Sequence, residues 1–599
     1  MAPRYLIVES RRAEILDLFA TRVPPQIGLS IVYRARHAVL LASDPQLVTV
    51  LPNGCGAIFG SLFYRHGPGR RIEAIEPAEA ERILATGGAS LIDRYWGGYV
   101  ALVDDQRGPR IIRDPSGALP CYFAGRPDCR VIGSDPAILA ESGLYRPQVD
   151  WGFVSRYFYS GGQPSGRTGL VGLHEVQRGT AFQLLQDGIS TDTLWTPWDH
   201  VRRGEQQSEH ANAENLARVL QSTVGALSSQ FDRIVLGVSG GLDSSIVAAA
   251  LRAANRKLSC ITLSTDDPDG DERYYARTLC EKLDTHLDER KHDLDKIDLG
   301  VSSVAHLPRP IGRLQAQAYD AAILEIARYY QADAIFTGNG GDNVFAFSYS
   351  ASPVVDRYAT EGLAFGSVKT LLDICKLSGA SFWQALLTAH RIWRRPSYAY
   401  SWRTDPEFLH PAIAAVLDGA DDQHPWLIAP RDALPGKSGH IALLLRIQQQ
   451  LDGMDPTAAP PIVNPLMSQP VIECCLGIPS WQWVANGENR SIARQAFSNR
   501  LPQAIVSRQS KGGPDAFCQA IISRHRAAIR DRLLGGHLVE REIADPAALD
   551  AALSDDRPDL GGAHVRIMAF LDTEAWIDHW LAKSNAPIDR EINLPACLS

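Results

Sequence analysis

The residues best suited to chemistry lie between Val238 and Ser245, where the chain reads Val-Ser-Gly-Gly-Leu-Asp-Ser-Ser. A short apolar run at residues 234–236 precedes this stretch, and a longer one at residues 246–251 follows it. This order predicts a buried strand, a glycine-rich turn and the start of a helix. Because the first N–H groups of a helix are unpaired and its dipole is positive there, such a turn binds phosphate.

The polar residues of this turn narrow the choice of ligand. Gly240 and Gly241 let the backbone approach a phosphate, and Ser239, Ser244 and Ser245 offer hydroxyl donors. Asp243 is out of place in an anion site unless a cation bridges it to the phosphates, which predicts Mg²⁺. The Gly-Lys-Ser/Thr ending of a Walker A loop is absent. The stretch resembles the pyrophosphate loop (PP-loop) of ATP pyrophosphatases; the alternative is an ordinary strand-to-helix turn.

Length, charge and cysteine usage limit the class of protein. The chain has 599 residues, too many for one core, and a net charge of −8 with no long basic run. We therefore expect no nucleic-acid partner. The ten cysteines form no Cys-x-x-Cys pair, which is typical of reduced thiols in a cytoplasmic protein. No signal-peptide core and no stretch of ~18 apolar residues is present, so we expect no membrane segment.

Two halves differ in their apolar pattern. Residues 1–200 are rich in short strand-like runs, such as 57–63, 99–103 and 110–113, and the polar stretch 200–215 reads as a linker. From residue 210 to 599, predicted strands at 258–263 and 334–337 alternate with predicted helices at 273–283 and 318–330. This alternation predicts an α/β domain with a parallel sheet, and helical periodicity dominates from about 358 to 500.

By these motifs the chain resembles the asparagine synthetase superfamily over nearly its whole length. Residues 95–102 (Tyr-Trp-Gly-Gly-Tyr-Val-Ala-Leu) and 113–122 (Arg-Asp-Pro-Ser-Gly-Ala-Leu-Pro-Cys-Tyr) resemble the family's amidase domain, an α+β sandwich of the N-terminal-nucleophile type. In glutamine-using members the nucleophile is a cysteine at position 2. Here that residue is Ala2, and Cys55 is the nearest cysteine. Without a thiolate no acyl-enzyme forms, so we expect a degenerate domain with a structural or binding role.

The second half carries the family's second phosphate loop, at residues 336–345 (Phe-Thr-Gly-Asn-Gly-Gly-Asp-Asn-Val-Phe). The resemblance pairs Asp342 with Asp243 as ligands of Mg²⁺, a role that two carboxylates and triphosphate oxygens suit. The alternative for Asp342 is a helix cap. Lys511, in Arg-Gln-Ser-Lys-Gly-Gly, matches the family lysine that neutralises charge on the acyl-adenylate and pyrophosphate; its alternative is a surface lysine. The resemblance implies an ATP site made of Leu236, Val238, Ser239, Gly240, Gly241, Asp243, Ser244, Leu263, Thr337 and Gly338.

The second loop departs from asparagine synthetase at Asn339 and Asn343, where the family has acidic residues. A neutral amide accepts no proton at pH 7, so another residue deprotonates the acceptor or the acceptor needs little help. Asp356, Asp373 and Tyr319 are the candidate replacements, and the sequence does not choose among them.

The resemblance implies attack of a carboxylate on the α-phosphorus of ATP, followed by displacement of AMP by an amine. The missing amidase nucleophile indicates that ammonia from glutamine is not the acceptor. The loop at 336–345, the Arg-x-x-Lys-Gly-Gly segment and the long helical region resemble lasso-peptide cyclases most closely, and those enzymes join a side-chain carboxylate of a precursor peptide to its N-terminal amine. The implied partners are that peptide, a leader peptidase and a leader-binding protein. A small-molecule amide or β-lactam synthetase is the second hypothesis, and an inactive scaffold the third. Five aromatic residues of the helical part would line a peptide site or fill a core: Trp383, Trp393, Tyr398, Tyr400 and Trp402.

Overall fold

The computed structural model describes residues 3–22, 27–105, 108–126, 129–185, 188–201, 207–265, 270–417, 423–509, 515–554 and 562–585. Its strands are β1 (Tyr5–Ser10), β2 (Ser30–Arg34), β3 (Ala38–Ala42), β4 (Val48–Val50), β5 (Gly56–Tyr64), β6 (Tyr95–Asp105), β7 (Gly108–Arg113), β8 (Tyr122–Arg126), β9 (Cys129–Gly133), β10 (His174–Glu175), β11 (Thr180–Leu185), β12 (Gly188–Thr193), β13 (Arg233–Gly237), β14 (Lys257–Ser264), β15 (His286–Lys291), β16 (Ala334–Phe336) and β17 (Ile462–Val463).

The α-helices in the first part of the chain are α1 (Ala13–Arg22), α2 (Pro77–Ala85), α3 (Ala89–Arg94), α4 (Pro136–Glu141), α5 (Trp151–Tyr159), α6 (Glu209–Ser228), α7 (Leu242–Ala253), α8 (Arg273–Leu283), α9 (Gln317–Tyr329) and α10 (Gly341–Val344). Those that follow are α11 (Ser352–Glu361), α12 (Phe365–Ser378), α13 (Phe382–Trp393), α14 (Pro411–Leu417), α15 (Pro435–Gln448), α16 (Gln469–Gly477), α17 (Ser491–Phe497), α18 (Gln503–Val506), α19 (Asp515–Leu534), α20 (His537–Glu540), α21 (Pro546–Ala552) and α22 (Ala563–Asn585). None of these described helices is long and apolar enough to cross a membrane.

The N-terminal half is a sandwich of two six-stranded antiparallel sheets, in the orders β10-β8-β9-β1-β3-β2 and β12-β11-β7-β6-β5-β4. Alternate residues of each strand face the partner sheet, so Tyr5, Ile7, Phe59 and Leu102 form the core between them. The intervening residues of β1 instead pack on helices. This arrangement confirms the predicted α+β sandwich, and it contains the predicted strands at 57–63, 99–103 and 110–113.

The second half is built on a five-stranded parallel sheet in the order β15-β14-β13-β16-β17. The chain moves outward from β13 to β15 and then returns to the other side of β13 with β16. Ligands of such sheets bind at this reversal, beyond the carboxyl ends of the strands. The predicted α/β class and the large helical part are confirmed.

The two halves of the chain share a hydrophobic core. The C-terminal helices α19 and α22 cover the outer face of the first sheet, where Ile521 and Trp576 share a core with Leu6 and Val8. The predicted linker is wrong from residue 209 onward, because Ser208 caps α6 by accepting a hydrogen bond from the N–H of Ala211. The predicted division at residues 200 and 210 stays a prediction.

Candidate active site

A cavity of about 600 Å³ opens beyond the carboxyl ends of β13, β14 and β16. The residues that bound it come from both predicted phosphate loops, from β14 and from the segment 450–454. Nine of the predicted site residues line it: Val238, Ser239, Gly241, Asp243, Ser244, Leu263, Thr337, Gly338 and Asp342. Residues far apart in sequence are thus brought to one edge of the sheet, as a parallel sheet requires of its strand-end loops.

Two predicted site residues, Leu236 and Gly240, are not among the described residues that bound the cavity. The Leu236 side chain is fully buried in the core beneath the sheet. Gly240 has a left-handed φ of 60°, and a Cβ there would lie 2.2 Å from the Cβ of Tyr275 on α8. Gly240 is therefore required by its backbone angle and by its packing on α8.

The two phosphate loops touch each other through glycines. A Cβ on Gly338 would lie 2.5 Å from the backbone nitrogen of Ser244, and one on Gly341 would lie 2.1 Å from the carboxyl carbon of Asp243. Because neither glycine has a side chain, the loops close on one another and Asp243 reaches the start of α10. This contact sets the distance between Asp243 and the second aspartate, Asp342.

Arg490 joins the two aspartates. Its Nη1 donates to Asp243 Oδ1 and Oδ2 at 3.1 and 3.3 Å and to Asp342 Oδ1 at 2.6 Å. The Arg490 residue is 8% exposed, and its guanidinium lies 5.2 Å from the centre of the Phe347 ring. One cationic nitrogen therefore contacts both carboxylates in a largely buried position.

Because the Arg490 guanidinium lies between the two aspartates, the same position can be examined as a site for Mg²⁺. A cation between Asp243 and Asp342 has two carboxylates within reach, and no third His, Cys, Asp or Glu joins them among the described residues. Mg²⁺ is commonly held by one or two carboxylates together with substrate phosphates and water. The residues present fit that arrangement, with most of the coordination left to the nucleotide.

A second arginine fastens the PP-loop to the C-terminal part of the chain. Arg508 donates to the carbonyl oxygen of Ser239 at 3.2 Å and to Glu272 at 2.7 Å, and its guanidinium lies 3.9 Å above the ring of Tyr275. Arg494 holds the carbonyl oxygens of Asn489 and Arg508, both at 2.9 Å. The segment that bears Arg490 and Arg508 is therefore tied both to itself and to the first phosphate loop.

An apolar wall faces these charges across the cavity. Leu263, Met454 and Ile462 are partly buried against the core formed by Val235, Ile261 and Ile335. A flat purine base fits such a wall, because the contact removes apolar surface of both the base and the wall from water.

The three candidate bases are distributed differently. Tyr319 lines the cavity, but burial raises its pKa to about 12, so the phenol stays protonated at neutral pH. Asp356 and Asp373 are not among the described residues that bound the cavity. Asp356 is fully buried and accepts hydrogen bonds from the Gly436 N–H and the Ser480 hydroxyl. Asn339 does line the cavity, and Asn343 instead donates to the carbonyl oxygen of Leu443.

The five aromatic candidates of the helical part are not among the described residues that bound this cavity. Lys511 lies outside the described residues. Trp383 and Trp393 are 69% and 44% exposed, so they neither fill a core nor bound the cavity, while Tyr398, Tyr400 and Trp402 are partly buried. The sequence analysis assigned no role to Arg490 or Arg508. The signal available is a basic residue in each of two short polar stretches, Gly-Glu-Asn-Arg-Ser at 487–491 and Arg-Gln-Ser-Lys at 508–511.

In the N-terminal half, the hairpin at 113–122 that resembles the family has a stabilising role. The buried Arg113 guanidinium donates to Glu175 and to the carbonyl oxygens of Leu119 and Val176. Burial raises the pKa of the Cys121 thiol to about 11, which keeps it protonated. Glu175 also accepts from Arg309 of the second half at 2.6 Å, so a buried charge network joins the halves.

Comparison with known proteins agrees with these observations. The family model described as asparagine synthase matches residues 215–581. The microcin J25-processing protein McjC of Escherichia coli is 23% identical over 155 residues, which are 25% of this chain and 29% of that protein. Two solved structures also match: an allosteric regulatory enzyme of purine biosynthesis (9% identity, 48% of this chain and 80% of that chain, TM-score 0.21) and the glutamine phosphoribosylpyrophosphate amidotransferase of B. subtilis (11%, 56% and 90%, TM-score 0.21). At those scores they add nothing to the topology described above.

Proposed function

Because the chain belongs to the asparagine synthase family, we propose that it is an ATP-dependent ligase that forms amide bonds and that its substrate is a precursor peptide. On this proposal it adenylates a side-chain carboxylate of the peptide and joins that carbon to the peptide's N-terminal amine, closing a macrolactam. The observation that supports the ATP-dependent step is that the two phosphate loops bring Asp243 and Asp342 to the same cationic group, the Arg490 guanidinium.

The residues of the cavity support the first half-reaction. The N–H groups at the start of α7 and the hydroxyls of Ser239 and Ser244 suit the triphosphate, while Leu263 and its apolar neighbours suit the base. Asp243 and Asp342 would hold Mg²⁺, which supplies charge neutralisation on the leaving pyrophosphate. The substrate carboxylate oxygen then bonds to the α-phosphorus as the bond to pyrophosphate breaks.

The neutral Asn339 supports a peptide amine as the acceptor. An N-terminal α-amine has a pKa of about 7.7–8.0, so a substantial fraction is already unprotonated near neutral pH. Such an amine attacks the acyl carbon, AMP leaves, and the amine loses its proton to water. No strongly basic side chain is needed, and this agrees with the protonated Tyr319 in the cavity.

The peptide as substrate is further supported by the weak similarity to McjC, which covers 29% of a protein whose name describes microcin processing. A leader peptidase and a leader-binding protein would be the accompanying partners.

Incubation of the protein with ATP, Mg²⁺ and a leader-free precursor peptide tests the proposal. We expect AMP and pyrophosphate in equal amounts and a product lighter than the peptide by one water. Asp243→Ala should abolish AMP formation while circular dichroism stays unchanged. AMP release with a small carboxylic acid and ammonia, but not with the peptide, would favour the small-molecule synthetase. No AMP with any acid would favour the inactive scaffold.

A further inference from the structure

We propose that Arg490 has two alternating partners: it occupies the cation position between Asp243 and Asp342 when no nucleotide is bound, and it binds phosphate oxygens when Mg²⁺ and ATP are present. This inference rests on the proposed ATP-dependent function, which it deepens by naming a phosphate-binding residue. It also implies that metal and nucleotide bind together, since the metal must displace a guanidinium that only the nucleotide can accept.

The geometry of the Arg490 side chain carries the first half of this inference. Its Nη1 contacts three carboxylate oxygens of the two aspartates, at 2.6–3.3 Å. This places a positive charge at the point that a bridging metal must reach. Metal and guanidinium therefore compete for the same carboxylates, so Mg²⁺ alone must break a largely buried ion pair before it binds.

The burial of the Arg490 side chain supports the second half of the inference, its binding to phosphate oxygens. When the carboxylates turn to the metal, a guanidinium that is 8% exposed loses its anionic partners. An unpaired buried charge is costly, so the group needs another anion nearby. The triphosphate is that anion: it reaches the same metal, and a planar guanidinium binds two phosphate oxygens at once.

The backbone around Arg490 is built to hold the side chain at this place. Arg490 has a left-handed φ of 55°, which is unfavourable for a residue with a Cβ and which recurs at functional sites. The preceding residue, Asn489, is fixed by Arg494, which donates to its carbonyl oxygen at 2.9 Å and to its side-chain oxygen at 3.3 Å. A rigid turn thus carries a side chain whose end can change partners.

Arg508 lines the same cavity but differs in its partners. Its guanidinium contacts Glu272, the Ser239 carbonyl oxygen and the Tyr275 ring, whereas the Arg490 guanidinium contacts the two metal-site aspartates. Arg508→Gln therefore removes the same charge from the same cavity without removing the competitor for the metal, and it serves as the matched control.

Titration with Mn²⁺ in the absence of nucleotide, followed by its electron paramagnetic resonance signal, tests the first half. Mn²⁺ takes the same oxygen ligands as Mg²⁺. We expect Arg490→Gln to bind Mn²⁺ roughly tenfold more tightly than the wild type, which corresponds to about 1.4 kcal/mol. Arg508→Gln should change the affinity by less than about threefold, because its charge is not in contact with the aspartates. Equal effects of the two substitutions, or none, would overturn the competition.

Calorimetric titration with inorganic pyrophosphate in excess Mg²⁺ tests the second half. Arg490→Gln should bind it roughly tenfold more weakly than the wild type, and Arg490→Lys should lie between, because lysine retains the charge but not the fork. Unchanged affinity in Arg490→Gln would overturn the phosphate contact. Thermal unfolding reports whether Arg490→Gln folds, and Arg490→Lys replaces it if it does not. If Arg490→Lys binds Mn²⁺ more tightly than the wild type, the competition is still supported. If Arg490→Lys binds both Mn²⁺ and pyrophosphate with wild-type affinity, the inference is overturned. A wild type that does not bind pyrophosphate in excess Mg²⁺ would instead count against the ATP-dependent function.

Discussion

The replacement of Gly341 by alanine would test whether the contact between the two phosphate loops sets the position of Asp243. Gly341 does not have a positive φ, so its backbone accepts an alanine. The added Cβ would lie 2.1 Å from the carboxyl carbon and 2.4 Å from the Cβ of Asp243, where ordinary contacts begin at 3.4 Å. The carboxylate must therefore retreat by about 1 Å or more, and a displacement of that size at a reacting centre costs roughly 10²-fold in rate.

Two opposing effects on stability accompany this shift. Alanine is favoured over glycine in a helix by roughly 0.5–1 kcal/mol, and overpacking costs about 1–3 kcal/mol. We expect a net loss of stability no larger than about 2.5 kcal/mol, which leaves the protein folded at 25 °C. The matched control is Gly439→Ala in α15, where a Cβ would meet nothing within 4 Å. That variant should be as stable as the wild type or slightly more so.

Binding of ATP in the presence of Mg²⁺, measured by calorimetry, reports the displacement without a peptide substrate. Gly341→Ala should weaken this binding by about tenfold or more, equivalent to about 1.4 kcal/mol, whereas Gly439→Ala should leave it unchanged. If Gly341→Ala binds Mg²⁺ and ATP as the wild type does, the loop contact does not position Asp243 and the reasoning fails.

Two further predictions concern stability. Burial raises the pKa of Glu175, but the charges of Arg309 and its neighbours outweigh burial and lower the pKa from 4.5 to about 2. Since the folded-state pKa lies below the unfolded one, the stabilisation by this carboxylate is complete above about pH 4.5 and is lost as the pH falls towards 2. Glu175→Gln should cost about 3–5 kcal/mol at pH 7 and less at pH 3, whereas Glu361→Gln, in an exposed pair, should cost under about 0.5 kcal/mol. Trp383→Ala should change the free energy of unfolding by less than about 0.5 kcal/mol, whereas Trp483→Ala, in a fully buried site, should cost about 3–5 kcal/mol.

Denaturant unfolding monitored by fluorescence and circular dichroism measures all four variants. A cost for Glu175→Gln that is the same at pH 3 and pH 7 would contradict the lowered pKa. A loss of stability in Trp383→Ala comparable to that in Trp483→Ala would mean that the exposed tryptophan is packed against something in solution.

Local signals in the sequence accounted for many elements. The apolar periodicity predicted helix 273–283, which the structure has at Arg273–Leu283, because a 3.6-residue repeat needs no distant partner to be read. The helical periodicity predicted from about 358 to 500 did not locate the start of α15 at Pro435, since proline is tolerated at the first position of a helix and carries no periodic signal. The linker prediction was wrong at Ser208 for a related reason. Ser208 caps α6 through a hydrogen bond from the N–H of Ala211, and that bond depends on the backbone geometry at the start of the helix.

By itself, the sequence determined the phosphate loop and its aspartate, because these depend on residue types at short spacing. Only the tertiary structure decided that Arg490 meets Asp243 across 247 residues and Asp342 across 148. No local pattern encodes such a meeting, since it follows from strand order in the parallel sheet and from glycines that let two loops touch. The same packing left Trp383 on the surface and placed Leu236 in the core.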